Sequence, residues 1–168
     1  MNISFTEFRI KAFSSDEIAA AKLFESELKK RCVTNISIND THGNFVFNIS
    51  PEINDKDCYK ITVNNEIIEF YGKTIRGLIF AYSHFLRKTI FKDDKSILVE
   101  SISGVYAPQK RIRGHQIGYR TTPNTYDAWD YDQYFQYYLD MMAFGANTVE
   151  HNGTKPDKNF RNRLMKYE

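Results

Sequence analysis

Tyr59-Lys-Ile-Thr-Val-Asn-Asn-Glu-Ile-Ile-Glu-Phe-Tyr-Gly72 runs directly into Lys73-Thr-Ile-Arg-Gly-Leu-Ile-Phe-Ala-Tyr-Ser-His-Phe-Leu-Arg87. The first stretch alternates apolar and polar residues on both sides of Asn64-Asn65. Alternation with period two is the mark of a half-buried strand, and asparagine tolerates the positive φ of a tight turn. The stretch therefore predicts a hairpin turning at Asn64-Asn65 and ending at Gly72. The second changes period. Ile75, Leu78, Ile79, Tyr82, Phe85, Leu86 and Ile90 recur at helical spacing, so a helix is expected from Thr74 to about Phe91. A hairpin that feeds a helix points to an α+β domain.

Upstream, the pattern begins with a strand over Phe5–Phe13. Ser14 or Ser15 then offers an N-cap, and Asp16 and Glu17 suit the positive end of a helix dipole. Ile18, Ala21, Phe24 and Leu28 form an apolar stripe, which predicts an amphipathic helix over about 15–31. Strands follow at 33–38 and 45–49, and another at 97–102 after the second helix. The order is β-α-β-β-β-β-α-β. It predicts a two-layer domain with helices on one face of a mixed or antiparallel sheet.

Downstream the character changes at Ser103–Lys110, where Gly104 and Pro108 stand in mixed polarity. This reads as a linker. The expected division is 1–102 as the small α+β domain, 103–110 as linker, and 111–168 as a second region. There, Arg111–Tyr119 reads as a strand, Thr121–Thr125 as a loop, and Asp130–Phe144 as a helix capped by Asp127 or Asp130. Gly145 stops it, and Ala146–Val149 begins another strand. Strand, helix, glycine, strand is one βαβ step of a parallel sheet or barrel.

Totals narrow the function classes. With 42% hydrophobic and 15% aromatic residues among 168, the chain can build a core. A net charge of +2 gives no argument for nucleic acid or an anionic membrane surface. No run of apolar residues is long enough to span a bilayer. Met1–Ile10 carries charges and no apolar core of a signal peptide, which leaves the compartment open: periplasmic or secreted if a leader is removed, otherwise cytoplasmic. Cys32 and Cys58 form neither a disulfide framework nor a metal pattern, and read as core or free thiols. Nothing calls for a metal or cofactor. The 11 Tyr and 13 Phe either fill a core or supply a sugar-binding surface, where Tyr is apolar and still hydrogen-bonds.

Two segments carry a family resemblance. Gly72, Thr74, Arg76, Gly77 and Leu78 at the helix start, with the hairpin before them, resemble the small domain that precedes the barrel in family 20 β-hexosaminidases and family 67 α-glucuronidases. Residues 1–102 fit as a whole. Arg113-Gly114, then Asp140, Met142, Ala143 and Asn147, resemble the first barrel strand, first helix and second strand of the same enzymes. The resemblance implies the incomplete start of a (β/α) barrel over 111–168, and carbohydrate as the partner of the complete protein. It gives Arg113 contact with sugar hydroxyls in the central subsite. Departures stand beside it. Where family 20 has an Asp and a second Arg soon after the pair, this sequence has Gly118 and, shifted by one, Arg120. Its second strand leads to Glu150 and His151 rather than to His-rich contacts. Family 20 also carries adjacent Asp and Glu at the end of the fourth barrel strand, and a barrel has eight βα units. About one and a half are present here, so no catalytic residue is assigned. No glycosidase activity is expected from these residues alone.

The candidate substrate-binding residues are Arg113, His115, Tyr119, Arg120, Trp129 and Glu150. Arginine's planar fork suits vicinal hydroxyls and carboxylates; the bland alternative for Arg113 and Arg120 is a salt bridge. Alternation puts Arg113, His115 and Ile117 on one face, with Tyr119 and Arg120 at the C-terminal, functional end of a barrel strand. Trp129 either stacks on a sugar face or packs over the helix start. Glu150 beside His151 reads as an acid/base pair or as a local ion pair. The alternative function is a stand-alone α+β binding or assembly module that docks through an aromatic surface. An unclosed βα unit also leaves a strand unpaired, so self-association is a further expectation.

Overall fold

The computed structural model describes residues 2–39, 41–93, 95–117 and 129–151. It divides into two compact units, Met1–Gln109 and Lys110–Glu168. The first opens with short strands β1 (Asn2–Ser4) and β2 (Phe8–Lys11), and helix α1 (Ser15–Lys29) follows. The strand expected over Phe5–Phe13 is thus shorter, Phe8–Lys11, and β1 precedes it. Ser14 is the N-cap: its hydroxyl accepts from the Glu17 N–H at 3.3 Å, and Glu17 accepts from the Ser14 N–H at 2.9 Å. This reciprocal capping box satisfies donors that the first helical turn leaves free.

Strands β3 (Ile36–Ile38), β4 (Phe45–Ile49), β5 (Tyr59–Asn64) and β6 (Ile67–Gly72) follow, then helix α2 (Ile75–Arg87). The hairpin forms as expected, one residue later. Asn64 pairs with Ile67, so the turn is Asn65-Glu66, and Asn65 takes the positive φ of 52°. Helix α2 stops at Arg87, short of the expected Phe91. Thr89–Phe91 is instead strand β7, paired antiparallel with β8 (Ser96–Val99), which pairs in turn with β1. The helical spacing that included Ile90 is coincidental: Ile90 is 60% exposed. Residues 103–110, read as a linker, hold a further strand, β9 (Gly104–Tyr106), paired antiparallel with β5.

The main sheet has the order β3-β2-β4-β6-β5-β9. Its pairs β2·β3, β2·β4 and β4·β6 are parallel, while β5·β6 and β5·β9 are antiparallel. The fold is α+β with a mixed sheet, and it is more parallel than the sequence suggested. Both helices lie on one face. Register puts Phe45 beside Ile68 and Phe47 beside Phe70, all on that face. Phe24 of α1 meets Phe45, Phe47 and Phe70 at 5.3–5.7 Å, and meets Tyr82 and Phe85 of α2 at 5.5 and 6.2 Å. Phe8, Phe24, Phe45, Phe47, Phe70 and Phe85 are fully buried. At roughly 1.5–3 kcal/mol per buried large side chain, this cluster is the main source of the unit's stability. Most of the phenylalanine excess is therefore core.

The family-like glycines have a packing reason. A Cβ on Gly72 would stand 2.6 Å from the Leu78 nitrogen, and one on Gly77 3.0 Å from the Cys58 carbonyl oxygen. The strand end and the helix start touch backbone to backbone. Both cysteines are free; Cys32, at φ 62°, is exposed rather than core.

The second unit contains strand β10 (Gly114–Ile117), helix α3 (Tyr131–Ala143) and strand β11 (Thr148–His151). Strands β10 and β11 pair in parallel, Gly114 beside Thr148 through Ile117 beside His151. This is the expected βαβ step.

Candidate functional site

The candidate site is built on β10, α3 and β11. Asp130 caps α3, its carboxylate accepting from the Gln133 N–H at 2.9 Å while the Gln133 amide oxygen accepts from the Asp130 N–H at 2.9 Å. Asp127, the other cap candidate, lies outside the described residues. At the far end the chain closes in a Schellman motif: Gly145 N–H donates to Met142 C=O at 2.8 Å and Ala146 N–H to Met141 C=O at 3.0 Å, with Gly145 at φ 91°.

Asn147 then ties the two strands together. Its Oδ1 accepts from the Arg113 N–H at 2.9 Å, and its Nδ2 donates to the Arg111 carbonyl at 2.8 Å. The next residue explains Gly114: a Cβ there would collide with the carbonyl of Thr148. The Arg-Gly pair and the Gly-Ala-Asn turn are thus two halves of one strand junction.

Arg113 belongs to that junction. Its Nε donates to the Gly145 carbonyl at 2.7 Å and one terminal nitrogen to the Lys110 carbonyl at 2.6 Å. The guanidinium thus bridges the Gly145 carbonyl at the C-terminal end of α3, where a cation also suits the helix dipole, to the Lys110 carbonyl ahead of β10. It sits at the N-terminal end of β10, opposite the end where barrel enzymes gather functional groups. A hollow of about 440 Å³ beside it is lined by Arg113, Tyr137, Met141 and Phe144 among others.

His115 is on the side of β10 that meets α3: its Nδ1 hydrogen-bonds the Tyr137 hydroxyl. Trp129 packs edge-on against Tyr134 and Tyr137 at 5.4 and 5.3 Å, over the start of α3. The structure thus brings His115, Tyr137 and Trp129 into one aromatic cluster on the helix side of the strands. Sequence reasoning misses Tyr137, because nothing local marks one tyrosine among the four of α3. Burial and its neighbours Tyr134 and Tyr137 push the Tyr138 phenol upward, which keeps it protonated.

Glu150 is exposed, and in register it lies beside Gln116. Alternation therefore puts Glu150 and Gln116 on the face away from α3, opposite His115. Tyr119 and Arg120 lie outside the described residues. Among the described residues no group of His, Cys, Asp and Glu could hold a metal ion, and no helix is long and apolar enough to cross a membrane.

No protein-family signature matches the chain, and no curated protein does. Solved structures do. An inactive mutant of the GH20 exo-β-N-acetylglucosaminidase of Vibrio harveyi superposes with TM-score 0.73 at 17% identity, over 89% of this chain and 23% of its own. The GH20 β-N-acetylhexosaminidase of Streptomyces coelicolor A3(2) gives 0.67 at 10%, over 89% and 31%. The β-N-acetylhexosaminidase of Bacteroides fragilis gives 0.62 at 13%, over 90% and 30%. The chain thus spans about a quarter to a third of the length of these structures, and it has the fold of that portion of the family 20 β-hexosaminidases.

Proposed function

We propose that this chain forms the small α+β domain and the opening strand–helix–strand step of a family 20-like glycoside hydrolase barrel, and that the complete protein acts on carbohydrate. The observation that carries this is the extent of the match. Nine-tenths of the chain, both units included, follows the fold of enzymes in which it covers under a third of the length. One such neighbour was solved with N-acetylglucosamine bound. The parallel β10·β11 pair flanking α3 supports a barrel start. The small domain supports the barrel, and the catalytic carboxylates belong to barrel strands beyond the second.

Within this reading, sugar contact falls to Arg120 and Tyr119 beyond β10, to Glu150 on the face away from α3, and to Trp129 as an aromatic surface. Gln116 joins them because it shares Glu150's face. Arg113 and His115 hold the βαβ step together, so each acts as a positioning residue.

The chain's sole tryptophan reports on the test. The 168-residue chain is expected to release no chromophore from 4-nitrophenyl N-acetyl-β-glucosaminide. N-acetylglucosamine is expected to change Trp129 fluorescence saturably, and Arg120→Ala to abolish the change. Turnover of the substrate by the chain would sink the division of labour. A Trp129 signal indifferent to both sugar and Arg120→Ala would remove the sugar contacts.

A further inference from the structure

The face of the main sheet that carries no helix holds a cleft of about 630 Å³. Alternation sends Arg9, Lys11, Val46, Asn48 and Glu69 to this face, since their neighbours Ile10, Phe45, Phe47 and Phe70 point to the helices. All five line the cleft, with Phe5 and the 41–44 turn as walls. It is lined only by residues of the first unit and includes none of those given sugar contact above.

Two features of its lining point to a ligand. Arg9 Nε and Asn48 Nδ2 are buried with no hydrogen-bond partner. Both are donors, and buried donors are seldom left unmade. Among the described residues no carboxylate pairs with Arg9. Lys11 has its ammonium 5.6 Å from the ring centre of Phe13, itself 61% exposed. The other feature is charge. Arg9 and Lys11 face Glu66 and Glu69 across the lining, so the formal charges cancel. Glu69 accepts from the Thr62 hydroxyl at 2.7 Å and keeps acceptor capacity.

We infer that this cleft binds a hydroxylated monocarboxylate, a small molecule of the sugar-acid class. The carboxylate meets the fork of Arg9, whose geometry matches it, with Lys11 one row along the same strand. Rows two residues apart in a strand are about 6.7 Å apart, so Asn48 stands about 13 Å from Arg9. One carboxylate cannot span that distance, and an extended polyhydroxylated body can. Asn48 then donates to a hydroxyl oxygen and Glu69 accepts from a hydroxyl. A dianion such as phosphate would bring a second charge toward Glu66 and Glu69 with no second unpaired guanidinium to meet it.

The test is calorimetric titration of the 168-residue chain with gluconate, acetate, glucose and inorganic phosphate at low salt. Gluconate is expected to bind saturably, at least about tenfold more tightly than the other three, since each of those lacks one element of the recognition. Arg9→Gln is expected to weaken gluconate at least about tenfold, the loss of a charge-assisted pair. Should Arg9→Gln fail to fold, Lys11→Gln and Asn48→Ala serve, each expected to weaken gluconate severalfold at unchanged melting temperature. No saturable gluconate binding, phosphate binding as tightly as gluconate, or affinity unmoved in every folded variant would each overturn the assignment. None of these results bears on Arg120 or Trp129, so failure here leaves the barrel reading untouched.

Discussion

Glu17 shows how much one side chain can do. Its carboxylate closes the capping box on Ser14, accepts from the Phe13 N–H at 3.0 Å, and accepts from the Ile49 N–H at 2.7 Å, where β4 ends. It therefore anchors a helix start to a strand end. Partial burial pushes its pKa up, but the hydrogen bonds from Ile49, Ser14 and Phe13 outweigh this and hold it below the ordinary carboxylate value. Glu17→Ala removes the cap and strands the Ile49 N–H, at an expected cost of about 2–3 kcal/mol at pH 7. The pH dependence follows from the depressed pKa. The folded state binds the proton less readily than the unfolded chain, so stability from Glu17 is present above the unfolded value of about 4.3 and is lost as pH falls through the lower folded value. Urea unfolding of both proteins at pH 7 and pH 3 checks this: the gap between them should narrow at pH 3. An equal gap at both would show that the charge of Glu17 contributes nothing. Ser14, with Ser15, was legible in the sequence as a cap and Glu17 as a first-turn acid, because these signals lie within one turn. The bond to Ile49 was not, because it joins residues 32 apart.

Elements were legible where the signal is local. Both ends of α3 follow from residues within reach of the helix: Asp130, one of two cap candidates with Asp127, at the start, and Gly145 at the stop. The hairpin was legible from its alternation and its asparagines. The short strands β7 and β9 were not. Thr89–Phe91 continues the apparent period of α2, and Gly104–Tyr106 sits among turn-forming residues, so pairing with β8 and β5 decides them. The same holds for the parallel pairs of the main sheet, whose partners are not sequence neighbours. In the candidate site, the strand was legible but its orientation was not: the Tyr137–His115 bond, across 22 residues, decides which face meets the helix. An element-scale prediction tests the α3 stop. Gly145 has φ 91°, and a Cβ added there would meet nothing within 4 Å, so the cost of Gly145→Ala is backbone strain and not collision. About 1 kcal/mol is expected, and Gly145→Asn should recover part of it, since asparagine tolerates positive φ. Equal melting of the alanine and asparagine variants with the parent would refute the strained cap.

At the scale of the whole molecule, the question is where the first unit ends. Composition puts the boundary before Ser103, whereas the contacts put it after Gln109. The difference is β9, which contributes more than three backbone pairs. Tyr106 stacks on Tyr59 at 5.1 Å, meets the His84 ring edge-on at 4.5 Å, and donates its hydroxyl to the Ile102 carbonyl at 2.7 Å. A chain stopping at Ser103 would leave β5 as a bare edge and lose the two ring contacts, at about 0.5–1.5 kcal/mol for each aromatic pair. The 1–109 polypeptide holds the phenylalanine core, both helices and a protected β5. It should unfold cooperatively and run as a monomer, since β9 covers the edge that would otherwise invite pairing. The 1–103 polypeptide should melt roughly 4–8 °C lower for each kcal/mol lost, the scale for a domain of this size. Its association should rise with concentration as the exposed β5 edge pairs between copies. Scanning calorimetry and size exclusion on the two polypeptides decide the point. If both melt together and elute as monomers, Tyr106 is ornament to the domain, and the earlier boundary is the physical one.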